Sequence, residues 1–342
     1  MNLFRYILMK RICVVFVYLL CVFFIFCQEK DTPQTGEGIY AFLRRHNRTE
    51  GGQYEEFVQL NKDKLGVSNT LVMGTVYLLP PQKVAEQKIK EKIEKTGTQI
   101  LFGEKYKNYE IKDNVLAGAC FFLVSGHGGP DSGATANVDG YELHEDEYAY
   151  DIMLRLARSL LEHNATVHII VQDTNDGIRD DNYLRNSKNE TCMGKEIPES
   201  QIKRLMQRCN VINSLSFQSK AKYQRAIFMH LDSRSKKQQV DVFFYYQDGK
   251  QNKTQSYRLA DTMLKTFRDL YAKHQPDRGF SGTVSSRSLY VLRNTTPVSL
   301  FVELGNMQNE FDQKRYILES NRQALANWLC FGFIKDYQSA SR

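Results

Sequence analysis

The stretch CFFLVSGHGGPDSGA, Cys120–Ala134, decides how this chain is read. Apolar residues run from Cys120 to Val124 and end on Ser125. A single histidine, His127, then stands among glycines, followed by Asp131 and Gly133. A short apolar run closed by glycines reads as a buried strand. Glycines at its end let the backbone turn sharply and let a metal and a bulky substrate come close. Alone, such a histidine is a turn residue or a phosphate neighbour as readily as a metal ligand. A phosphate loop expects a Lys-Ser/Thr pair after its glycines, whereas here Pro130-Asp131-Ser132 follow.

Outward from this stretch, β-like runs alternate with amphipathic segments from about Thr98 onward. The strand candidates are Cys120–Ser125, Thr166–Val171, Ala226–Met229, Val240–Tyr246 and Val298–Val302. The helix candidates are Glu145–His163, Gln201–Cys209, Ser256–His274 and Arg315–Asp336. In Glu145–His163, Ile152, Leu156 and Leu160 line one face, with Met153 and Ala157 beside them. Strands separated by helices predict an α/β domain, a sheet flanked by helices that carries its site at strand ends.

Three residues fall at comparable places in that pattern. His127 follows the first strand. Glu145 opens a helix, where the positive end of the macrodipole favours a carboxylate. His230, in AIFMHLDS, follows the strand Ala226–Met229. Two imidazoles and one carboxylate form the protein ligand set of a catalytic zinc site, with a fourth position for water. Glu303, in PVSLFVELGNMQNEFD (Pro297–Asp312), closes an apolar strand. It is either a strand-end acid facing solvent or a base beside the metal-activated water. His144 adjoins Glu145, but helix neighbours diverge by about 100°, so the two cannot readily reach one ion. His46, His163, His168 and His274 have no evident chemical partners and read as structural or surface residues. Asp131 either shapes the turn or orients a ligand.

The remaining sequence bounds the setting. The chain has 342 residues, 42% of them hydrophobic, and a formal charge of +7. Arg5, Lys10 and Arg11 supply part of that charge; without them it is 7 − 3 = +4, a mild basic bias that suits an anionic polymer without identifying one. Residues 1–27, MNLFRYILMKRICVVFVYLLCVFFIFC, have the basic start and apolar stretch of a secretory signal. An uncleaved anchor and a lipoprotein signal acylated at Cys27 are the alternatives, and all three put the protein across a membrane. Cys120, Cys192, Cys209 and Cys330 lie beyond the signal with no CxxC among them, so a cysteine zinc site is not expected. Cys192 and Cys209 are either a disulfide pair or two separate buried thiols. Residues 175–200, rich in turn signals, read as an insertion that either gates the site or forms a surface loop.

Two resemblances gather these features. Gly36–Pro80, with GEGIYAFLRRHN, YEEFVQLNKDKL and TLVMGTVYLLP, resembles a LysM module. That implies a small α+β unit binding N-acetylglucosamine-containing polysaccharide, with Arg48–Gln53 as a departure in its first interhelical loop. Residues 81–113 would be a linker. From Asn114 to the C-terminus the chain resembles the zinc-dependent N-acetylmuramoyl-L-alanine amidases of the bacterial cell wall. GHGGPDSGA (126–134), LHEDE, FMHLD and PVSLFVELGNMQN occur in the family's order. The resemblance implies a mixed sheet flanked by helices, with His127, Glu145 and His230 as zinc ligands, His144 outside the site and Glu303 as catalytic residue. Peptidoglycan would be the partner, with a possible protein activator, no nucleic acid, and membrane contact only through Cys27. The implied location is the periplasm or cell envelope. Leu231-Asp232 and Asn306-Met307 depart from the family pattern and are expected at the rim of the site. A zinc peptidase acting within the stem peptide, or a catalytically silent wall-binding scaffold, would share most of these features.

Overall fold

The computed structural model describes residues 29–49, 51–81, 95–233, 237–248 and 252–340. The segment 1–27 read from the sequence as a signal, including Cys27, and the charged stretch 82–94 lie outside the described residues. The chain divides into two compact units, one ending at Glu94 and one beginning at Lys95. No helix among the described residues is long and apolar enough to cross a membrane.

The first unit runs strand, helix, helix, strand: β1 (Lys30–Asp31), α1 (Ile39–Arg45), α2 (Gln53–Leu60) and β2 (Tyr77–Leu78), with β1 and β2 antiparallel. Ile39, Phe42, Leu43, Phe57, Tyr77 and Leu79 close its core. The β-like run Thr70–Pro80 yields only two strand residues. Asn61, at the end of α2, explains this, because its side chain substitutes for a neighbouring strand: Nδ2 donates to the Leu78 carbonyl and Oδ1 accepts from the Leu78 amide, both at 2.8 Å. β1 comes from residues that precede the LysM-like stretch Gly36–Pro80. In the 48–53 loop, Arg48 is buried and donates from Nε to the Pro80 carbonyl at 2.5 Å, fastening the loop to the closing strand.

The second unit begins earlier than residue 114. A hairpin of β3 (Thr96–Thr98) and β4 (Asn108–Glu110) brackets Leu101 and Phe102, which are buried in the main core. Residues 95–113, expected within the linker, therefore fold with this unit. Then follow β5 (Ala119–Ser125), the hairpin β6 (Thr135–Val138) and β7 (Tyr141–His144), and α3 (Glu145–Glu162). β8 (Thr166–Ile169), β9 (Val171–Gln172), β10 (Thr191–Cys192) and β11 (Lys195–Glu196) lead to α4 (Gln201–Gln218). The chain continues through β12 (Tyr223–Asp232), β13 (Phe243–Tyr246), α5 (Lys253–His274), β14 (Thr283–Ser286) and α6 (Tyr290–Asn294). β15 (Val298–Asn306), α7 (Glu310–Ile317) and α8 (Glu319–Ala340) complete it.

The main sheet has the order β14-β13-β15-β12-β5-β8. β15, β12, β5 and β8 run parallel, while β13 is antiparallel to β15 and parallel to β14. This is the mixed sheet flanked by helices that the sequence predicts. Alternation along β5 divides the core in two. Phe121 and Leu123 face α3, α5 and α8, whereas Cys120, Phe122 and Val124 join the cluster under α4 and α6. With helices on both faces every residue of β5 is buried, as expected for central parallel strands.

Several elements of the second unit differ from the sequence reading. The run Thr166–Val171 breaks after Ile169, and Val171–Gln172 pairs instead with β10. α4 continues past Cys209 to Gln218. The Arg315–Asp336 helix is two helices separated at Leu318, whose ψ of 125° is extended. β13 starts at Phe243 because the Val240 amide donates to the buried carboxylate of Asp312 (2.7 Å) and Asp241 takes a φ of 54°. No disulfide links Cys192 and Cys209, which are separate buried thiols of one core cluster.

Candidate metal centre

Three adjacent parallel strands bring the candidate residues together at their carboxyl ends, where open α/β sheets place their sites. His127 follows β5 by two residues. His230 on β12 and Glu303 on β15 are register partners. Glu145 enters from the first turn of α3. The register slips after His230, and such a bulge re-aims the side chains around it.

Glu145 is the hub. It is buried, and its Oε2 lies 3.2 Å from His127 Nε2 while its Oε1 lies 2.8 Å from His230 Nδ1. Backbone amides also aim at it: Ala134 donates to Oε2 at 2.9 Å and Leu231 to Oε1 at 3.1 Å. Burial opposes the charge on Glu145, but the two histidines outweigh it and hold the carboxyl well below the usual range. The His230 ring stacks on Phe301 at 4.4 Å. Burial pushes its pKa down, with the Glu145 carboxylate opposing.

His127 stands in the left-handed region, at φ 57°, a conformation that costs a non-glycine residue energy unless its surroundings impose it. Here they do. Its Nδ1 donates to Asp131 Oδ2 at 3.0 Å, and Arg208 donates to its carbonyl. Asp131 also accepts the Gly133 amide at 3.2 Å and is held by Arg204 at 2.5 Å. Both sequence readings of Asp131 therefore hold together: it shapes the turn and orients the histidine. Burial disfavours a charged ring at His127, but the carboxylates on both its nitrogens push its pKa up to about 10. Two glycines are required by space. A Cβ at Gly126 would stand 2.3 Å from His230 Cε1, and one at Gly133, where φ is +72°, would stand 2.7 Å from Glu145 Oε2 and from the His127 ring.

These residues fit a zinc ion. Ligands about 2.0–2.1 Å from a tetrahedral zinc lie roughly 3.3 Å apart, close to the 3.2 and 2.8 Å between Glu145 and the two histidines. The carboxylate on the far nitrogen of His127 is the usual partner of a metal-bound imidazole. Glu303 lines the same cavity of about 290 Å³, together with Gln201, Arg208, Arg287 and Tyr290. Its Oε2 is enclosed with no hydrogen-bond partner. Burial first, then the charges of Glu145 and Asp232, push its carboxyl well above the ordinary value.

The other histidines are placed elsewhere. His144 lies 3.5 Å from Glu142, His163 bonds Asp113, His168 stacks on Phe122, His46 pairs with Asp31 and His274 stacks on Trp328. Leu231 and Asp232 line the cavity, as expected, although both are mostly buried, whereas Asn306 and Met307 are buried and do not line it. The bulge turns them inward, and Asn306 Nδ2 donates to the Gln238 carbonyl at 2.8 Å. Residues 175–200 brace the site: Glu190 accepts the Gly129 amide at 2.8 Å, and Ile197 packs against Gly129. Arg204 and Arg208, not singled out from the sequence, reach the His127 turn from one face of α4. Their spacing of four on a helix was the available signal.

This is an α/β protein with a His₂Glu constellation and an unpartnered carboxylate at the ends of its central strands. The chain belongs to the N-acetylmuramoyl-L-alanine amidase family, Amidase_3, whose model matches residues 122–334. An uncharacterized cell wall amidase of Bacillus anthracis is 25% identical over 232 residues, covering 66% of this chain. The chain spans only 37% of that relative's length. Among solved structures, the CwlD amidase of Clostridioides difficile, in complex with the GerS lipoprotein, is 20% identical, with a TM-score of 0.47 over 65% of this chain and 99% of that one. The N-acetylmuramoyl-L-alanine amidase AmiC2 of Nostoc punctiforme is also 20% identical, with a TM-score of 0.45 over 65% and 99%.

Proposed function

We propose that this chain is an exported zinc amidase that hydrolyses the amide between the lactyl group of N-acetylmuramic acid and L-alanine of the peptidoglycan stem. The convergence of His127, Glu145 and His230 beside the partnerless oxygen of Glu303 carries this reading. Those three residues would hold a zinc ion, which would supply Lewis-acid polarisation of the scissile carbonyl and acidify the attacking water. Asp131 fixes the ring orientation of His127, and the Ala134 and Leu231 amides fix Glu145. Glu303 takes the proton of the attacking water on its free carboxyl oxygen as the C–O bond forms at the carbonyl carbon, then delivers it to the alanine nitrogen, and the C–N bond breaks as that nitrogen departs as an amine.

The strand-helix-helix-strand order of the first unit supports the LysM-like reading. Tyr40, exposed and stacked on Tyr54 at 4.5 Å, offers an aromatic face of the kind that packs on sugars. Such a module would raise the enzyme's local concentration on the wall without touching the scissile bond. The basic and apolar segment 1–27 supports export. Glu303→Gln should retain zinc, measured by elemental analysis, while amide hydrolysis falls about 10²–10⁴-fold. A variant of near-normal rate removes Glu303 from the chemistry.

A further inference from the structure

Directly after Glu145, helix α3 carries Asp146 and Glu147, and Glu190 comes to meet them from the far end of the 173–190 segment. One ligand atom from each of the three lies within 4.8 Å of the other two. All three are buried: Asp146 is 3%, Glu147 1% and Glu190 7% exposed. Their hydrogen bonds are few. Asp146 Oδ1 accepts the Glu147 amide at 2.9 Å, Glu147 Oε1 accepts the Ser187 amide, and Glu190 Oε2 accepts the Gly129 amide at 2.8 Å. Asp146 Oδ2 is buried with no donor at all.

Charge is out of balance in the same place. The cation bonded to the cluster is Arg179, whose Nη1 lies 2.7 Å from Glu147 Oε2 and is shared with Asp176 at 2.9 Å. With all three acids ionised, as cation binding requires, Arg179 leaves −3 + 1 = −2, before Asp176 and the neighbouring buried Asp173 are added. Buried carboxylates are tolerated when paired or coordinated to a metal. Magnesium usually keeps several of its waters, whereas calcium accepts irregular cages built from protein oxygens, and these three carboxylates are buried.

We propose that Asp146, Glu147 and Glu190 form a second cation site, separate from the His127–Glu145–His230 centre, that takes a hard divalent ion of calcium's size. The donors are all oxygens, a set that suits calcium rather than zinc. The ion's two charges match the local deficit, and Asp146 Oδ2 is the ligand left without other work. Such an ion would tie together the start of α3, the glycine loop that presents His127, and the 173–190 segment. It would be a structural clamp behind the catalytic residues. The proposal stands whether or not the histidine centre holds zinc.

The test is calcium titration of the full chain, followed by calorimetry and by thermal melting, with magnesium in parallel. One calcium per chain should bind, and binding should persist in His127→Ala. With calcium about 100-fold above its dissociation constant, Tm should rise roughly 5–10 °C. Asp146→Asn should lose this response. Its calcium-free Tm should nevertheless equal or exceed that of the wild type, because a buried charge without a partner has been removed. Should Asp146→Asn fail to fold, Glu190→Gln is read by the same calcium response. A wild-type Tm unmoved by millimolar calcium, a response lost in His127→Ala, or an Asp146→Asn variant that responds like the wild type would each overturn the site. Magnesium binding with no calcium binding would overturn the assignment of ion size.

Discussion

Removing the carboxylate of Asp131 tests whether the glycine-rich turn is built to hold a metal ligand. Asp131 Oδ2 takes the His127 Nδ1 proton at 3.0 Å and the Arg204 guanidinium at 2.5 Å, while its Oδ1 takes the Gly133 amide. One side chain therefore fixes the ring tautomer, the ring orientation and the loop that passes over Glu145. Loss of such a partner typically costs 10–100-fold in metal affinity, equivalent to about 1.4–2.7 kcal/mol. Asp131→Asn keeps an acceptor for Nδ1–H but gives up the charge, so it should lie near the 10-fold end. Asp131→Ala also frees the ring and should approach 100-fold. Arg204→Gln, which leaves Asp131 in place, should cost less than either. Zinc affinity read by competition with a chromophoric chelator, with Tm followed alongside, separates a metal effect from general loosening. If Asp131→Ala binds zinc within twofold of the wild type, Asp131 does not hold His127 for the metal.

Two further outcomes concern the scaffold. Asp151 is fully buried and takes Arg155 Nε at 2.8 Å, Arg322 Nε at 2.6 Å and the Arg179 amide at 2.8 Å. Asp151→Asn leaves two buried guanidiniums short of charge, a loss of about 3–5 kcal/mol, so Tm should fall by roughly 6–20 °C; a drop of a degree or two would show that solvent reaches the network. At Asp241 burial works against the charge, but Arg278 at 2.5 Å and the Ser281 amide at 2.8 Å prevail and hold the carboxyl below its ordinary value. Its contribution is thus complete above the unfolded Asp value of about 3.9 and is lost as pH falls through the lower folded value. Asp241→Asn should flatten the decline of stability with acid in that window, and an unchanged acid profile would contradict the assignment.

What the sequence revealed and what it hid divide along physical lines. His127 and Glu303 were readable because each ends a continuous apolar run, and such runs mark strands buried on both faces. Glu145 was readable as the acid that opens a helix. β1 was not, because it is two polar residues long and exists only as the partner of Tyr77–Leu78. The early start of β12 was hidden by Arg225, which is buried against Asp336 at 2.8 Å rather than exposed as an arginine usually is. Helix α4 was cut short in the reading because its second half buries little beyond Ile212, so its apolar periodicity fades. The late start of β13 depends on Asp312, which accepts the amide of the distant Val240, and the break at Leu318 on Arg322, whose buried guanidinium donates to the Tyr316 and Ile317 carbonyls; neither bond shows in the apolar periodicity. The acids Asp146, Glu147 and Glu190 lay in plain view, but only the fold brings Glu190 to the other two.

The central claim is the bond that is cut and the metal that cutting needs. Purified peptidoglycan digested by residues 28–342 and analysed by mass spectrometry tests both, with chelator-treated and zinc-restored enzyme in parallel. The account predicts stem peptides released with a free L-alanine amine, absent after chelation and restored with zinc. Cleavage between amino acids of the stem, or turnover that persists through chelation, would contradict it.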